Sequence, residues 1–345
     1  MHPLDFNDGE HKLNIKKLRF TYDDIVNFHI PGAQGTVPLP ESLSAMKSGT
    51  ASVNFKGSYN NFSSVIHMLS EIGNVDLDVK RKKMANGDNI ISGNIKSDRF
   101  NAGLLANASK FVGCLDLNAD FSAKFPRNGD LDLTVNGKAY RAQLLGNHID
   151  EVVLNGDMKD GRFAGKLNID DDELGLDFDG VIDFTDKKYP KADFTAVISH
   201  ADLSALKLMK NDSISEVSTS IVANLTGFDL DVMEGELHLE NTTFHDSRGT
   251  YHMSYFDASI VNDNLMDRRI NLTNDFFDFE MAGKMNFANM MNSFNEYGDY
   301  FVHFPIFEKN QEEFQEYKLK NDVEQDFIVS LTLKDTKTLS RLFSS

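Results

Sequence analysis

The chain has no tryptophan, one cysteine and seven prolines in 345 residues. The single cysteine, Cys114, excludes an internal disulfide and any metal site built from several cysteines. No run approaches the ~18 consecutive apolar residues of a membrane-spanning helix, and the first residues lack a charged-then-apolar signal pattern. We therefore expect any anchor or targeting segment to lie outside this sequence.

Positive charge is also scarce: 35 Lys and Arg stand against 53 Asp and Glu, which gives a formal net charge of −18. Binding to nucleic acid needs a cationic surface, so a nucleic-acid partner is disfavoured. The one dense basic run, residues 80–83, precedes the turn pair Asn86-Gly87. A solvated turn is the favoured interpretation of this run, and contact with lipid headgroups is the alternative.

Motifs for chemistry are missing as well. The sequence contains no nucleophile elbow, no phosphate-binding loop and no dinucleotide fingerprint. Its ten histidines show no metal-ligand spacing, and the acidic segment 170–173 lacks the order of a calcium loop, so it is interpreted as a solvated hairpin tip. We expect no enzymatic activity, no cofactor, no catalytic residue and no metal site.

What the chain does have is apolar residues at every second position, which is typical of half-buried antiparallel strands. One run spans Leu115 to Phe125, and another spans Leu174 to Phe184 with Asp177 and Asp179 on its opposite face. Asn-Gly and Asp-Gly pairs favour tight hairpins between such strands. These pairs occur at residues 86–87, 128–129, 136–137, 155–156 and 160–161.

The sequence thus predicts an all-β fold: an elongated, curled, mainly antiparallel sheet, or β-groove (β-taco), with a few short capping helices. Segments with helical spacing are residues 60–72, 98–112, 202–209, 288–294 and 336–343. Residues 1–345 are expected to form one extended β-groove segment without a clear boundary, with a weak subdivision into 1–112 and 113–345.

The apolar inventory is rich in Phe, with 27, and in Met, with 13. A sheet whose apolar face closes on a second sheet is a sandwich, whereas a sheet that curls and stays open is a groove. Alternation alone does not separate these two folds. Packing of a closed core and contact with an apolar ligand therefore both remain open as roles for the inward side chains.

Residues 156–184 carry a Gly-x-Phe-x-Gly-x-Leu strand, an acidic turn, and a Leu-x-Leu-x-Phe-x-Gly strand. This pattern resembles the TamB family, the translocation and assembly module proteins of the AsmA-like group, especially members from Bacteroidetes. The similarity extends over most of residues 45–345, through the connector 201–206 and the segments 241–244 and 283–287. Where relatives often have Asp-Pro at the turn, this chain has Asp172-Glu173.

The resemblance implies a non-enzymatic conduit that carries phospholipid acyl chains along an apolar groove between the inner and outer membranes. It also implies a periplasmic location, an inner-membrane anchor in a segment absent here, and an outer-membrane assembly barrel of the TamA/BamA type as partner. The alternative is a periplasmic adaptor or chaperone for outer-membrane protein assembly, whose sheet edges pair with client strands. A parallel β-helix acting on polysaccharide is a third class, which the hairpin turns disfavour.

The predicted lipid-binding residues are the alternating apolar side chains of the clearest strands, each a contact for an acyl chain. They are Phe163, Leu167, Ile169, Leu174, Leu176, Phe178, Ile182, Leu237, Leu239, Phe279, Met281, Phe287, Val329 and Leu331.

Overall fold

The structure is a computed structural model that describes residues 9–27, 41–105, 107–110, 112–127, 131–144, 146–208, 215–247, 249–262, 267–287 and 326–335. The helices in these residues are α1 (Tyr22–Val26), α2 (Ala102–Leu105) and a 3-10 helix (Glu41–Met46), and Phe287, at the end of a described range, is also helical. No helix within these ranges has the length and apolar character needed to cross a membrane.

Strands make up most of the described chain and form an 18-stranded sheet. They are β1 (His11–Thr21), β2 (Ser48–Gly57), β3 (Asn61–Ser70), β4 (Gly73–Lys83), β5 (Asn89–Asp98), β6 (Phe100–Asn101), β7 (Val112–Phe125), β8 (Asp132–Leu144), β9 (Asn147–Lys159), β10 (Arg162–Asp170), β11 (Leu174–Asp183), β12 (Lys191–Asp202), β13 (Glu216–Thr226), β14 (Glu234–Asp246), β15 (Gly249–Asn262), β16 (Asp267–Asn274), β17 (Phe277–Lys284) and β18 (Asp326–Leu333).

Successive strands pair antiparallel from β1 to β5, from β7 to β10 and from β14 to β18; β6 is so short that β5 and β7 also pair directly. The predicted all-β, antiparallel fold with short helices is therefore confirmed.

The chain forms two compact units. Unit 1 comprises Met1–Val181 and Ala196–Val217, and unit 2 comprises Ile182–Thr195 and Ser218–Ser345. The weak subdivision at residue 112 stays a prediction.

Two of the predicted hairpin pairs are confirmed. Gly87 lies at the tip between β4 and β5 with φ 92°, and Asp160 and Gly161 join β9 to β10 with φ 50° and 78°. These positive values suit the tight turns that connect twisted strands. The pair at 128–129 lies outside the described residues.

The pairs at 136–137 and 155–156 are not turns, and this prediction was wrong. Both lie inside strands, where Asn136 faces Asn155 across β8 and β9. Gly137 is needed for space: a Cβ there would lie 2.3 Å from the Cβ of Ala119. Close approach of neighbouring strands, not a bend of the chain, explains this glycine.

The helix predicted over residues 60–72 was also wrong, because β3 occupies Asn61–Ser70. Its apolar residues recur at 62, 65, 66 and 69, which is helical spacing. Hydrogen bonding to both β2 and β4 overrides this local pattern. As a consequence Leu69 points to the outer face and is 57% exposed.

Two further helix predictions fail in part. Among the described residues of the segment 98–112, only Ala102–Leu105 are α-helical, and β7 already starts at Val112. Asp202 ends β12 and residues 203–207 form turns, because the Asp202 carboxylate accepts the backbone N–H groups of Ser204 and Ala205 and so favours a local turn. The segments 288–294 and 336–343, with Met209, lie outside the described residues.

Candidate functional site

In unit 1 the strand registers align apolar residues of nine strands into one cross-strand row. The row consists of Ile15, Val53, Ile66, Leu77, Ile95, Ala119, Gly137, Leu154 and Leu167. Side chains two residues apart on a strand share a face. The row and its same-face neighbours, which include Phe55, Val79, Phe121 and Phe163, are called here the apolar face of unit 1.

The opposite face of the same strands is polar. One residue along each strand, the registers align Asn14, Asn54, Val65, Asp78, Asn94, Asp120, Asn136, Asn155 and Lys166. The Asn94 amide Nδ2 donates to the Asp120 carboxylate at 2.9 Å and to Asn118 Oδ1 at 2.9 Å. The sheet of unit 1 therefore separates an apolar face from a hydrated one.

Most large side chains of the apolar face are only half-buried, including Ile66, Leu77, Phe121, Leu154 and Leu167. The inner faces of a closed sandwich interdigitate and exclude water, which would bury leucines and phenylalanines of this kind. The described residues of unit 1 therefore leave the middle of this face open.

One end of the apolar face is closed. Phe20, Met46, Ile72, Val75 and Phe100 form a buried cluster there, against which Ala45 of the 3-10 helix and Ala102 of α2 pack. Of these two short helices, α2 lies in the predicted helical segment 98–112, whereas the 3-10 helix was not predicted. The apolar face is thus sealed at the strand ends near Ile72.

The hairpin of β10 and β11 carries six of the predicted residues in unit 1. Asp171 and Leu174 exchange two backbone hydrogen bonds and form its tip, which confirms the predicted acidic turn. Beyond the tip, Asn168 donates to Asp177 at 2.6 Å and Lys166 pairs with Asp179 at 2.8 Å. These polar pairs occupy one face of the hairpin.

Because strand faces alternate, the predicted side chains occupy the other face of that hairpin. They are Phe163, Leu167, Ile169, Leu174, Leu176 and Phe178. Ile169 is only 4% exposed, whereas the other five are half-buried. The Phe163 ring lies over Gly156 and Gly165. A Cβ added at these positions would lie 2.5 Å and 2.7 Å from the ring, so the ring needs glycine at both.

Ile182, the remaining predicted residue of β11, belongs to unit 2 and is half-buried.

Unit 2 also has an apolar face of its own. One cross-strand row runs Leu237, Ala258, Leu272, Phe279 and Leu331, and the adjacent row runs Gly235, Ile260, Ile270, Met281 and Val329. The registers thus bring together the predicted residues Leu237, Phe279, Met281, Val329 and Leu331, with Leu239 two residues further along β14. On β18 the side chains of Val329 and Leu331 are exposed.

A buried arginine closes one end of the apolar face of unit 2. Arg268 is 3% exposed, and its guanidinium donates to the backbone carbonyls of Leu230 and Met233 and to Asn262 Oδ1. The guanidinium lies 5.7 Å from the ring of Phe287, a predicted residue. Burial lowers the pKa of Arg268 from its ordinary value, although nearby carboxylates led by Asp231 oppose the shift.

The predicted lipid-binding set contains no residue of β1 to β9, although the apolar run of β7 was recognised, and in unit 2 it leaves out Ile260, Ile270 and Leu272. In β3 the helical spacing hid the strand, and in β8 the Asn136-Gly137 pair suggested a turn. Strand register, which depends on distant segments, was needed to place these residues in one row. The asparagines of the polar row were the available signal, because they alternate with apolar residues.

Ion pairs decorate the polar faces. On β14 the His238 ring lies 2.7 Å from Asp257 and 3.7 Å from Glu236, and the hydrogen bond to Asp257 raises the pKa of His238 above its ordinary value of 6.5. On β10 the hydrogen bond to Asp179 raises the pKa of Lys166. Both sites are solvated, so they contribute little to stability.

A titration of His238 checks this geometry. Replacing Asp257 with asparagine is expected to lower the pKa of His238, and Glu236→Gln to lower it less. Because the folded pKa is the higher one, the stabilisation is present below pH 6.5 and is lost as the pH rises through the folded pKa. Ring proton shifts followed by NMR measure the midpoint. An unchanged midpoint in Asp257→Asn contradicts the assignment.

Within the described ranges no group of three or more His, Cys, Asp or Glu side chains is arranged to hold a metal ion. The described strands of each of the two units instead present an apolar face on one side of the sheet and a polar face on the other. Fold and site together define an amphipathic antiparallel β-sheet protein. Comparison with protein-family models, with curated proteins and with solved structures gives no match.

Proposed function

We propose that this protein is a non-enzymatic carrier of phospholipid, which binds acyl chains along the apolar faces of its two units. The observation that supports this proposal best is the nine-strand row of apolar residues in unit 1, most of which are only half-buried. Each methylene group removed from water contributes ~0.8 kcal/mol, so burial of an acyl chain on this face would stabilise the complex and would also cover the accessible part of the apolar side chains.

The dimensions of the row suit such a ligand. Neighbouring strands lie about 4.8 Å apart, so nine strands extend roughly 40 Å along the sheet. The acyl layer of one membrane leaflet is about 15 Å deep, half of a hydrocarbon core of about 30 Å. The apolar face of unit 1 therefore offers more length than one acyl chain needs, while the polar face keeps contact with water.

The setting of this activity is a further part of the proposal. The resemblance of residues 156–184 to the TamB family favours transport of phospholipid between inner and outer membranes, in the periplasm. The inner membrane and an outer-membrane assembly barrel are the partners that accompany this proposal. The fourteen predicted residues are its acyl-chain contacts.

One feature favours a second candidate function, that of an adaptor in outer-membrane protein assembly. Strand β18 pairs with β17 and exposes apolar side chains on both faces, with Ile328 77% exposed and Leu333 52% exposed. An apolar strand of this kind is suited to pair with a strand of another chain. If this function is correct, a variant with Ile328→Lys and Leu333→Lys should no longer capture an unfolded outer-membrane protein. Unchanged capture by this variant would reject the adaptor function.

Native mass spectrometry on the chain purified from a bacterial host without detergent tests the lipid proposal. We expect species that carry the mass of one or more phospholipids, identified after organic extraction. A chain that is folded and free of lipid, and that takes up none when mixed with phospholipid vesicles, would contradict the proposal.

A further inference from the structure

The strand registers of unit 1 bring a set of basic residues to one edge of the sheet. This edge, called here the basic edge, lies at the strand ends opposite the cluster of Phe20 and Ile72. It contains the end of β4, the end of β7 and the turn between β9 and β10. Its cations are Arg81, Lys82, Lys83, Lys124, Arg127, Lys159 and Arg162, and its carboxylates are Asp88, Asp132, Asp157 and Asp160.

The two edges of this sheet differ in how their cations are paired with carboxylates. At the opposite edge Lys47 pairs with Glu71, Arg99 with Asp98 and Arg141 with Asp116. At the basic edge Lys124 pairs with Asp88 at 3.4 Å, and the hydrogen bond from the Arg127 backbone lowers the pKa of this carboxyl.

The other cations of the basic edge, including Lys83 and Arg162, form no ion pair within the described part of the chain. With seven cations and four carboxylates, the basic edge carries net positive charge in a chain of net charge −18.

Arg81 connects this charge to the apolar face. Its position shares a cross-strand row with Phe62, Ile91, Ala123, Met158 and Phe163. The guanidinium stacks 4.3 Å from the ring centre of Tyr59, and Nη2 donates to Asn89 Oδ1 at 3.0 Å. Nε is buried without a hydrogen-bond acceptor. A guanidinium that stacks on an aromatic ring at the border of an apolar surface is suited to bind a phosphate.

We infer that the basic edge binds the phosphate group of an anionic phospholipid whose acyl chains lie on the apolar face of unit 1. The inference rests on the proposed function and adds the class of headgroup. Arg81 and Lys83 supply hydrogen bonds and charge to the phosphate. From Arg81 to the closed end at Val75 the strand runs about 20 Å, at ~3.3 Å per residue, which accommodates an acyl chain laid along β4.

Binding of two fluorescent phospholipids with identical acyl chains tests the inference on the full chain. We expect phosphatidylglycerol to bind about tenfold more tightly than phosphatidylcholine, since charge-assisted hydrogen bonds discriminate to this extent. Arg81→Gln and Lys83→Gln should each remove most of this preference, because they weaken phosphatidylglycerol binding more than binding of phosphatidylcholine, whose phosphate is balanced by its own choline cation. Arg99→Gln, which removes the same charge at the opposite edge, is the matched control and should change nothing.

The outcomes separate the inference from the proposed function. Equal affinity for both lipids in the wild-type chain, or loss of preference in Arg99→Gln alone, overturns the anionic headgroup and leaves acyl-chain binding in place. Displacement of phosphatidylglycerol by inorganic phosphate at equal concentration identifies free phosphate as the ligand and overturns the lipid assignment. Failure of both lipids to bind overturns the inference and the proposed function together.

Discussion

A Leu167→Asp variant should lose at least about tenfold in affinity for phospholipid while the sheet stays folded. Leu167 lies on the apolar face of unit 1 opposite Leu154 and is half-buried. An acyl chain over this position would contact the leucine, and a carboxylate there would have to be desolvated when the lipid binds. Fluorescent-lipid titration measures the affinity, and circular dichroism reports the strand content.

Leu69→Asp is the matched control. It makes the same substitution in a strand of the same unit but on the polar face, where Leu69 is 57% exposed. We expect normal lipid affinity and a change in the free energy of unfolding of less than about 1 kcal/mol. Equal loss of affinity in both variants would show that the two faces do not differ in function. Global unfolding of Leu167→Asp alone would instead indicate a closed core.

Arg268→Ala should destabilise unit 2 by about 2–4 kcal/mol. The substitution leaves the carbonyls of Leu230 and Met233 without their charged donor, and buried acceptors without donors are costly. Thermal unfolding should show a lower transition for unit 2. Hydrogen exchange should rise first in β14 and β16, which flank this contact.

The neighbouring Arg269 provides the control for that experiment. It lies on the other face of β16, is more than half exposed, and reaches Glu280 at 3.8 Å. Exposed ion pairs of this kind contribute about 0–1 kcal/mol, so Arg269→Ala should unfold nearly as the wild type does. A stability loss of similar size in the two variants would contradict the role assigned to the backbone contacts of Arg268.

Local pattern was enough to predict the fold class and the faces of the clearest strands. In β10 and β11 the alternation of Leu167 and Ile169 with Lys166 and Asn168 already separates an apolar face from a polar one. The same reasoning failed where a local pattern conflicted with pairing to distant strands. Phe62 to Leu69 have helical spacing, yet two neighbouring strands hold them extended.

The site was harder to predict than the fold, because its extent depends on register. Nothing near Ile15 or Ile95 in the sequence indicates that they share a row with Leu167, since the pairings that align them run through several strands. The role of Arg81 was hidden for a related reason. It belongs to a basic run whose lysines point mostly to the polar face, and only alternation along β4 places it on the apolar side.

We propose that acyl chains contact the apolar faces of the two units and no other surface of the protein. Phospholipid with a photoreactive group at the end of one acyl chain tests it most directly, with cross-linked peptides mapped by mass spectrometry. We expect cross-links in unit 1 at the row of Leu77, Ile95, Leu154 and Leu167, and in unit 2 at Leu272 and Phe279. Cross-links concentrated on the polar row around Asn94 and Asn136, or spread evenly over both faces, would show that the apolar faces are not the binding surface for acyl chains.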